Sequence, residues 1–131
     1  MSTLSVATVS SCTTVKSAST STVPVFQNSS GTANGFLIRG WADFDGSSSS
    51  PLEASGNCSS FTDNGEGDYT FNFAVAMPDT NYVMLMGSSN GTAKPRFHCE
   101  HTKSTGSYRF EHRSELNTKQ DGQHGQIAFV R

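Results

Sequence analysis

With 131 residues, 34% of them hydrophobic and 15% charged, the chain is the size of one domain and is polar without being strongly charged. A formal net charge of −2 argues against a nucleic-acid surface, which carries a basic balance or stripe. No run approaches the roughly twenty apolar residues of a membrane span, and Ser and Thr interrupt every early apolar cluster, so neither membrane insertion nor a secretory signal is expected.

Residues 1–35 are rich in Ser, Thr and Val, with Lys16 as their only charged residue. Leu4, Val6, Val9, Val15, Val23, Val25 and Phe26 are scattered through them without helical period. Such a stretch cannot build its own core, and its β-branched content suits an extended arm docked on another chain. A flexible terminus is the alternative. Residues 28–35 read as a hinge, and a β domain is expected over 36–131.

Nine Phe, three Tyr and one Trp beside plentiful Gly and Ser favour an all-β core. Phe36, Ile38, Trp41 and Phe44 carry the bulk of the first strand, and Gly40 breaks its phase, which predicts a bulge there. Gly46 to Pro51 is a loop, and an extended stretch from about Ala54 enters a hairpin over 58–73. Asn64-Gly65 and Gly67 tolerate positive φ at its tip. Beyond the tip, Tyr69, Phe71, Phe73 and Val75 alternate with Thr70 and Asn72, the pattern of a strand with one buried face. Met77-Pro78-Asp79-Thr80-Asn81 ends it.

Tyr82 to Met86 lacks alternation and reads as a strand covered on both faces. Arg96 to His101, Tyr108 to His112 and Gln126 to Arg131 are further strand candidates, with a polar loop at 114–125. About seven strands result, which predicts an antiparallel, jelly-roll-like β-sandwich. Cys12, Cys58 and Cys99 are odd in number and form no C-x-x-C unit, so free thiols of a protein made in a reducing cytoplasm are expected.

Several stretches carry a resemblance. Gly40-Trp41-Ala42-Asp43-Phe44-Asp45-Gly46, Ser59-Ser60-Phe61-Thr62-Asp63-Asn64-Gly65, Gly67-Asp68-Tyr69-Thr70-Phe71-Asn72-Phe73 and Ala76-Met77-Pro78-Asp79-Thr80-Asn81-Tyr82 follow one another in order. This wording, over about residues 39–83, resembles a domain of tail-fibre and appendage proteins of tailed phages, especially those of marine bacteria. Ala42 and Asp43 depart from that family's Val and Asn. The resemblance implies a structural protein of the virion, usually a homotrimer, made in the host cytoplasm. It implies no catalytic site. The arm residues Leu4, Val6, Val9, Val15, Val23, Val25 and Phe26 would then contact other virion proteins. A tail fibre or similar appendage is the first expectation, and a capsid decoration or head-fibre protein is the alternative.

Four groups invite chemistry. His98-Cys99-Glu100-His101, with His112 and His124, suggests zinc, but no H-x-H pair is present and no metal site is expected. Asp63, Glu66 and Asp68 lack the spaced oxygens of a calcium loop and read as a solvated hairpin tip. Asp43, Asp45 and Glu100 are the carboxylates available for glycan hydrolysis. With no nucleophile elbow, P-loop or dinucleotide fingerprint, neither catalysis nor a cofactor is expected. Finally, Arg96, His98, Arg109, His112 and Arg113, interleaved with Phe97, Tyr108 and Phe110, form a candidate contact with acidic glycans of the host surface. An ordinary solvated face with inward aromatics is the alternative.

Overall fold

The computed structural model describes residues 25–28, 31–34, 37–91, 94 and 96–131. The chain divides into two compact units, Met1–Phe36 and Leu37–Arg131. In the first, β1 (Val25–Asn28) and β2 (Gly31–Asn34) pair as an antiparallel ladder. Part of the stretch expected to be an extended arm and hinge is therefore a strand pair. Leu4, Val6, Val9, Val15 and Val23 lie outside the described residues, and Val25 and Phe26 are described only as β1 backbone.

The second unit is an all-β sandwich of two four-stranded antiparallel sheets. One has the order β4 (Leu52–Gly56), β3 (Ile38–Phe44), β10 (His124–Val130), β7 (Val83–Ser89). The other has the order β5 (Cys58–Asp63), β6 (Asp68–Phe73), β9 (Ser107–Arg113), β8 (Phe97–Lys103). No helix occurs among the described residues.

The sandwich thus holds eight strands, one more than the spacing of turns suggests. The extra one arises at Asn57, where a single extended stretch was expected. Asn57 adopts φ of 55°, a left-handed value Asn tolerates better than most residues. Its side-chain amide donates to the carbonyls of Arg39 (2.7 Å) and Val75 (2.9 Å), and its side-chain oxygen accepts from the Val75 amide (2.6 Å). Held this way, the chain leaves β4 in one sheet and enters β5 in the other.

The expected hairpin is present as β5 and β6, paired from Cys58 opposite Phe73 to Asp63 opposite Tyr69. Gly65 (φ 122°) and Gly67 (φ 63°) take the positive-φ positions, and Asn64 does not. Tyr69, Phe71 and Phe73 face inward, but the strand ends there and Val75 is exposed.

The core is aromatic. Around Phe44 lie Phe61 (4.8 Å between centroids), Tyr69 (5.3 Å) and Phe110 (5.9 Å). Around Phe129 lie Phe71 and Phe73 (4.9 Å each), Tyr108 (5.4 Å) and Tyr82 (5.9 Å). The Tyr82 hydroxyl donates to the Ser104 carbonyl (2.9 Å), and burial pushes its pKa up to about 12.

In the first sheet one sequence expectation holds and another inverts. The predicted bulge is real: Phe129 faces Gly40 while Val130 faces Ile38, leaving Arg39 as the extra residue. The resulting phase turns Gly40, Ala42 and Phe44 inward and leaves Ile38 and Trp41 outside. Likewise β7 is not covered on both faces. Met84 and Met86 pack on the core, whereas Val83 and Leu85 point away from it.

Gly125 on β10 lies directly under the Phe44 ring, where any Cβ would overlap the ring carbons. Because Phe44 is fully enclosed, Gly125→Ala should cost about 1–3 kcal/mol through overpacking. A lowered urea midpoint with an unchanged slope would register it.

Candidate functional site

The two outward faces of the sandwich differ chemically. On the sheet β5-β6-β9-β8, outward positions are mostly polar and carry an ion network. Asp68, 4% exposed, accepts from Arg109 through both carboxylate oxygens (2.8 and 2.9 Å) and from Lys119 (2.8 Å). Lys119 also reaches Glu111 at 2.8 Å, and Glu111 pairs with Arg113 at 2.5 Å. Arg109 beside Asp68 holds that carboxyl well below the ordinary range, against burial and with help from Lys119. Lys119 and then Arg113 lower Glu111. Both acids are therefore ionised at neutral pH, and the stabilisation they lend is full above the ordinary carboxylate range and is lost as pH falls from there through their depressed values.

Lys119 arrives on this face from the loop at 114–123, which several contacts anchor. Asp121 Oδ1 accepts from the Tyr69 hydroxyl (2.6 Å) and the Gly67 amide (2.7 Å). The Gly46 amide donates to the Gly122 carbonyl (2.8 Å), and the Gln120 amide to the His112 carbonyl (3.1 Å).

The five residues expected to contact a host surface do not form one surface. Arg109 and Arg113 lie on the outer face, each engaged by a carboxylate. Phe97, opposite Arg113 in register, is 54% exposed beside it. Arg96 is partly buried, and its Nε has no hydrogen-bond partner. His98 turns inward, stacked on Tyr108 at 5.8 Å with Nε2 3.0 Å from the tyrosine hydroxyl. His112 is fully buried and cannot touch a receptor in the folded chain. The reason is strand parity: on β9, Tyr108, Phe110 and His112 share the inward face, so the imidazole follows the aromatics into the core.

The other constellations are placed as follows. His101 is the extra residue where the β8 register shifts between Glu100 and Thr102, so it does not follow Cys99 by simple alternation. Among the described residues no group of three or more His, Cys, Asp or Glu is arranged to hold a metal ion. Cys58 and Cys99 are free, partly buried thiols, and Cys12 lies outside the described residues. Asp63 caps its own turn by accepting from the Gly65 amide (2.9 Å), and Asp68 is spent on Arg109 and Lys119. Asp45 is held by Ser47, whose hydroxyl (2.6 Å) and amide (2.9 Å) lower its pKa, opposite to what a general acid needs. Glu100 sits on β8, in the sheet opposite Asp43.

The outward face of the other sheet was not anticipated. Register aligns Ile38, Val130 and Val83 in one row and Trp41, Ala128 and Leu85 in the next. Ile38 is 64% exposed, Val83 59%, Leu85 56% and Trp41 43%. Trp41 lies over Gly56 of β4, where a Cβ would collide with the indole. A shallow, open depression of 270 Å³ runs between β7 and β10, lined by Leu85, Gly87, Gln126 and Ala128 among others. A contiguous exposed apolar face of this kind is the usual mark of an interaction surface. Its sequence signal, the run Val83-Met84-Leu85-Met86, is indistinguishable from that of a strand buried inside one subunit.

No family model and no curated protein matches the chain. Among solved structures, the crystal structure of the phiAB6 tailspike, in complex with three-repeated oligosaccharides of Acinetobacter baumannii surface polysaccharide, is similar with a TM-score of 0.52 and 18% identity. The match covers 76% of this chain and 21% of that one, so the chain spans about a fifth of the tailspike's length. At this identity the likeness is one of fold alone. No helix of the described residues is long and apolar enough to cross a membrane.

Proposed function

We propose that the chain is a structural component of a phage tail appendage, a tail fibre or tailspike-like part that contributes to recognition of the host surface. The observation that carries this reading is the fold likeness to a tailspike, which agrees with the fibre-like wording of residues 39–83. In this reading the protein is made in the host cytoplasm and carried on the virion. Residues 1–35 join it to other virion proteins, and it closes as a homotrimer through the apolar face of β3, β10 and β7. Three-fold closure would cover that face and protect the open edges of both sheets.

Host recognition then falls to the opposite, polar face. There Arg109, Arg113 and Lys119 outnumber Asp68 and Glu111, and Phe97 supplies a ring against which a sugar can stack. Such a face suits an acidic surface glycan, in keeping with the polysaccharide bound by the tailspike of similar fold. The role is one of binding rather than catalysis. Antibody labelling of intact particles tests the assignment: label on the tail is expected, whereas label over the capsid would make it a decoration protein and label on no particle would remove it from the virion.

A further inference from the structure

His112 is the one fully buried imidazole among the described residues. Its ring centroid lies 5.4 Å from Phe44, 5.5 Å from Tyr69 and 5.6 Å from Phe110. Neither Nδ1 nor Nε2 has a hydrogen-bond partner, an arrangement that leaves polar atoms uncompensated in an aromatic box. The loop at 114–123 closes the box with a glycine. A Cβ at Gly122 would come within 3.0 Å of His112 Nδ1 and 2.7 Å of Ser88 Oγ, another buried atom without a partner. Asp121, the next residue back, is the loop's anchor to Tyr69 and Gly67.

The charged and titratable neighbours of the ring come from few elements. Arg96, before β8, and His98 on β8 oppose a charge on it, Asp121 in the loop favours one, and Tyr69 on β6 stays neutral. On β3, β7 and β9 the facing side chains are Phe44, Ser88 and Phe110. Burial is the largest influence and lowers His112 from 6.5 to about 4.

We propose that His112 and the loop at 114–123 form an acid-operated latch, in which protonation of the ring releases the loop from its Asp121 anchor. An imidazolium has two N–H donors to satisfy. No atom of the closed box accepts from the ring, and the strongest acceptor within the surrounding loop is the Asp121 carboxylate. Turning Asp121 towards the ring takes it from the Tyr69 hydroxyl and the Gly67 amide, and accommodating the charge displaces Gly122 from Nδ1. The loop then opens, carrying Lys119 off the ion network. The sign follows from linkage: the closed form binds its proton less readily than the open one, so acid favours opening. Between 6.5 and about 4, the open population should rise about tenfold per pH unit. This inference does not depend on the phage reading.

Hydrogen exchange on the full chain, corrected for intrinsic rates, tests it together with NMR titration of the His112 ring. The Gly67 amide and residues 114–122 should lose about tenfold protection per pH unit through that window, with central amides of β6 and β9 unchanged and the ring titrating in step. His112→Phe, which suits the aromatic box, should keep the loop protected throughout. His112→Gln, a polar side chain that does not titrate, gives the same comparison should the first variant fail to fold. Loop protection that persists until global unfolding would overturn the latch. So would loops of both variants opening at the wild-type pH, which would assign the effect to Asp121 instead.

Discussion

Phe129→Ala is expected to lower the unfolding free energy by about 3–5 kcal/mol, enough to leave a marginally stable domain partly unfolded at room temperature. Phe129 has no exposed surface and is ringed by Phe71 and Phe73 of β6, Tyr108 of β9 and Tyr82, the residue before β7. It also sits on β10, which pairs with both β3 and β7 and so carries the centre of its sheet. Removing the ring strips contacts from four aromatics at once and leaves a cavity that rigid neighbours close poorly. Leu116→Ala, at an 80% exposed position in the 114–123 loop, is the matched control and should change stability little. Urea unfolding of the three proteins decides the matter, and equal midpoints would mean that the Phe129 cluster is not the centre of the core.

The double substitution Val83→Asp, Leu85→Asp should convert the proposed homotrimer to monomer without unfolding it. Both side chains are more than half exposed in the single subunit, so the carboxylates meet water there and cost the fold little. In a trimer the same positions would lie at the interface, where each lost apolar side chain removes about 1.5–3 kcal/mol and an unpaired charge adds to the cost. Symmetry repeats the damage at every interface. Sedimentation at matched concentration should show the native protein at three subunits and the variant at one, with identical far-ultraviolet circular dichroism. A native protein that sediments as a single subunit would refute self-assembly through this face.

Local pattern alone was enough for the β5–β6 hairpin and the inward set Tyr69, Phe71 and Phe73. Period-two alternation and the glycines of a tight turn are properties of neighbouring residues, so no distant partner is needed to read them. The bulge at Gly40 and the all-β class were readable for the same reason.

Distant contacts decided the rest. Nothing near Asp68 foretells Lys119, a residue 51 positions away that pairs with it only because the 114–123 loop folds back over β6 and β9. His112 looked like part of a basic surface because its neighbours in sequence are charged, and strand parity on β9 placed it among Phe44, Tyr69 and Phe110. Asn57 divides what reads as one extended stretch between two sheets through bonds to Arg39 and Val75, each 18 residues away. The apolar run at Val83 shows most plainly why. Hydrophobicity states that a side chain avoids water, but whether it is covered within this chain is settled only when the two sheets have packed, because packing uses one face of each and leaves the other outside.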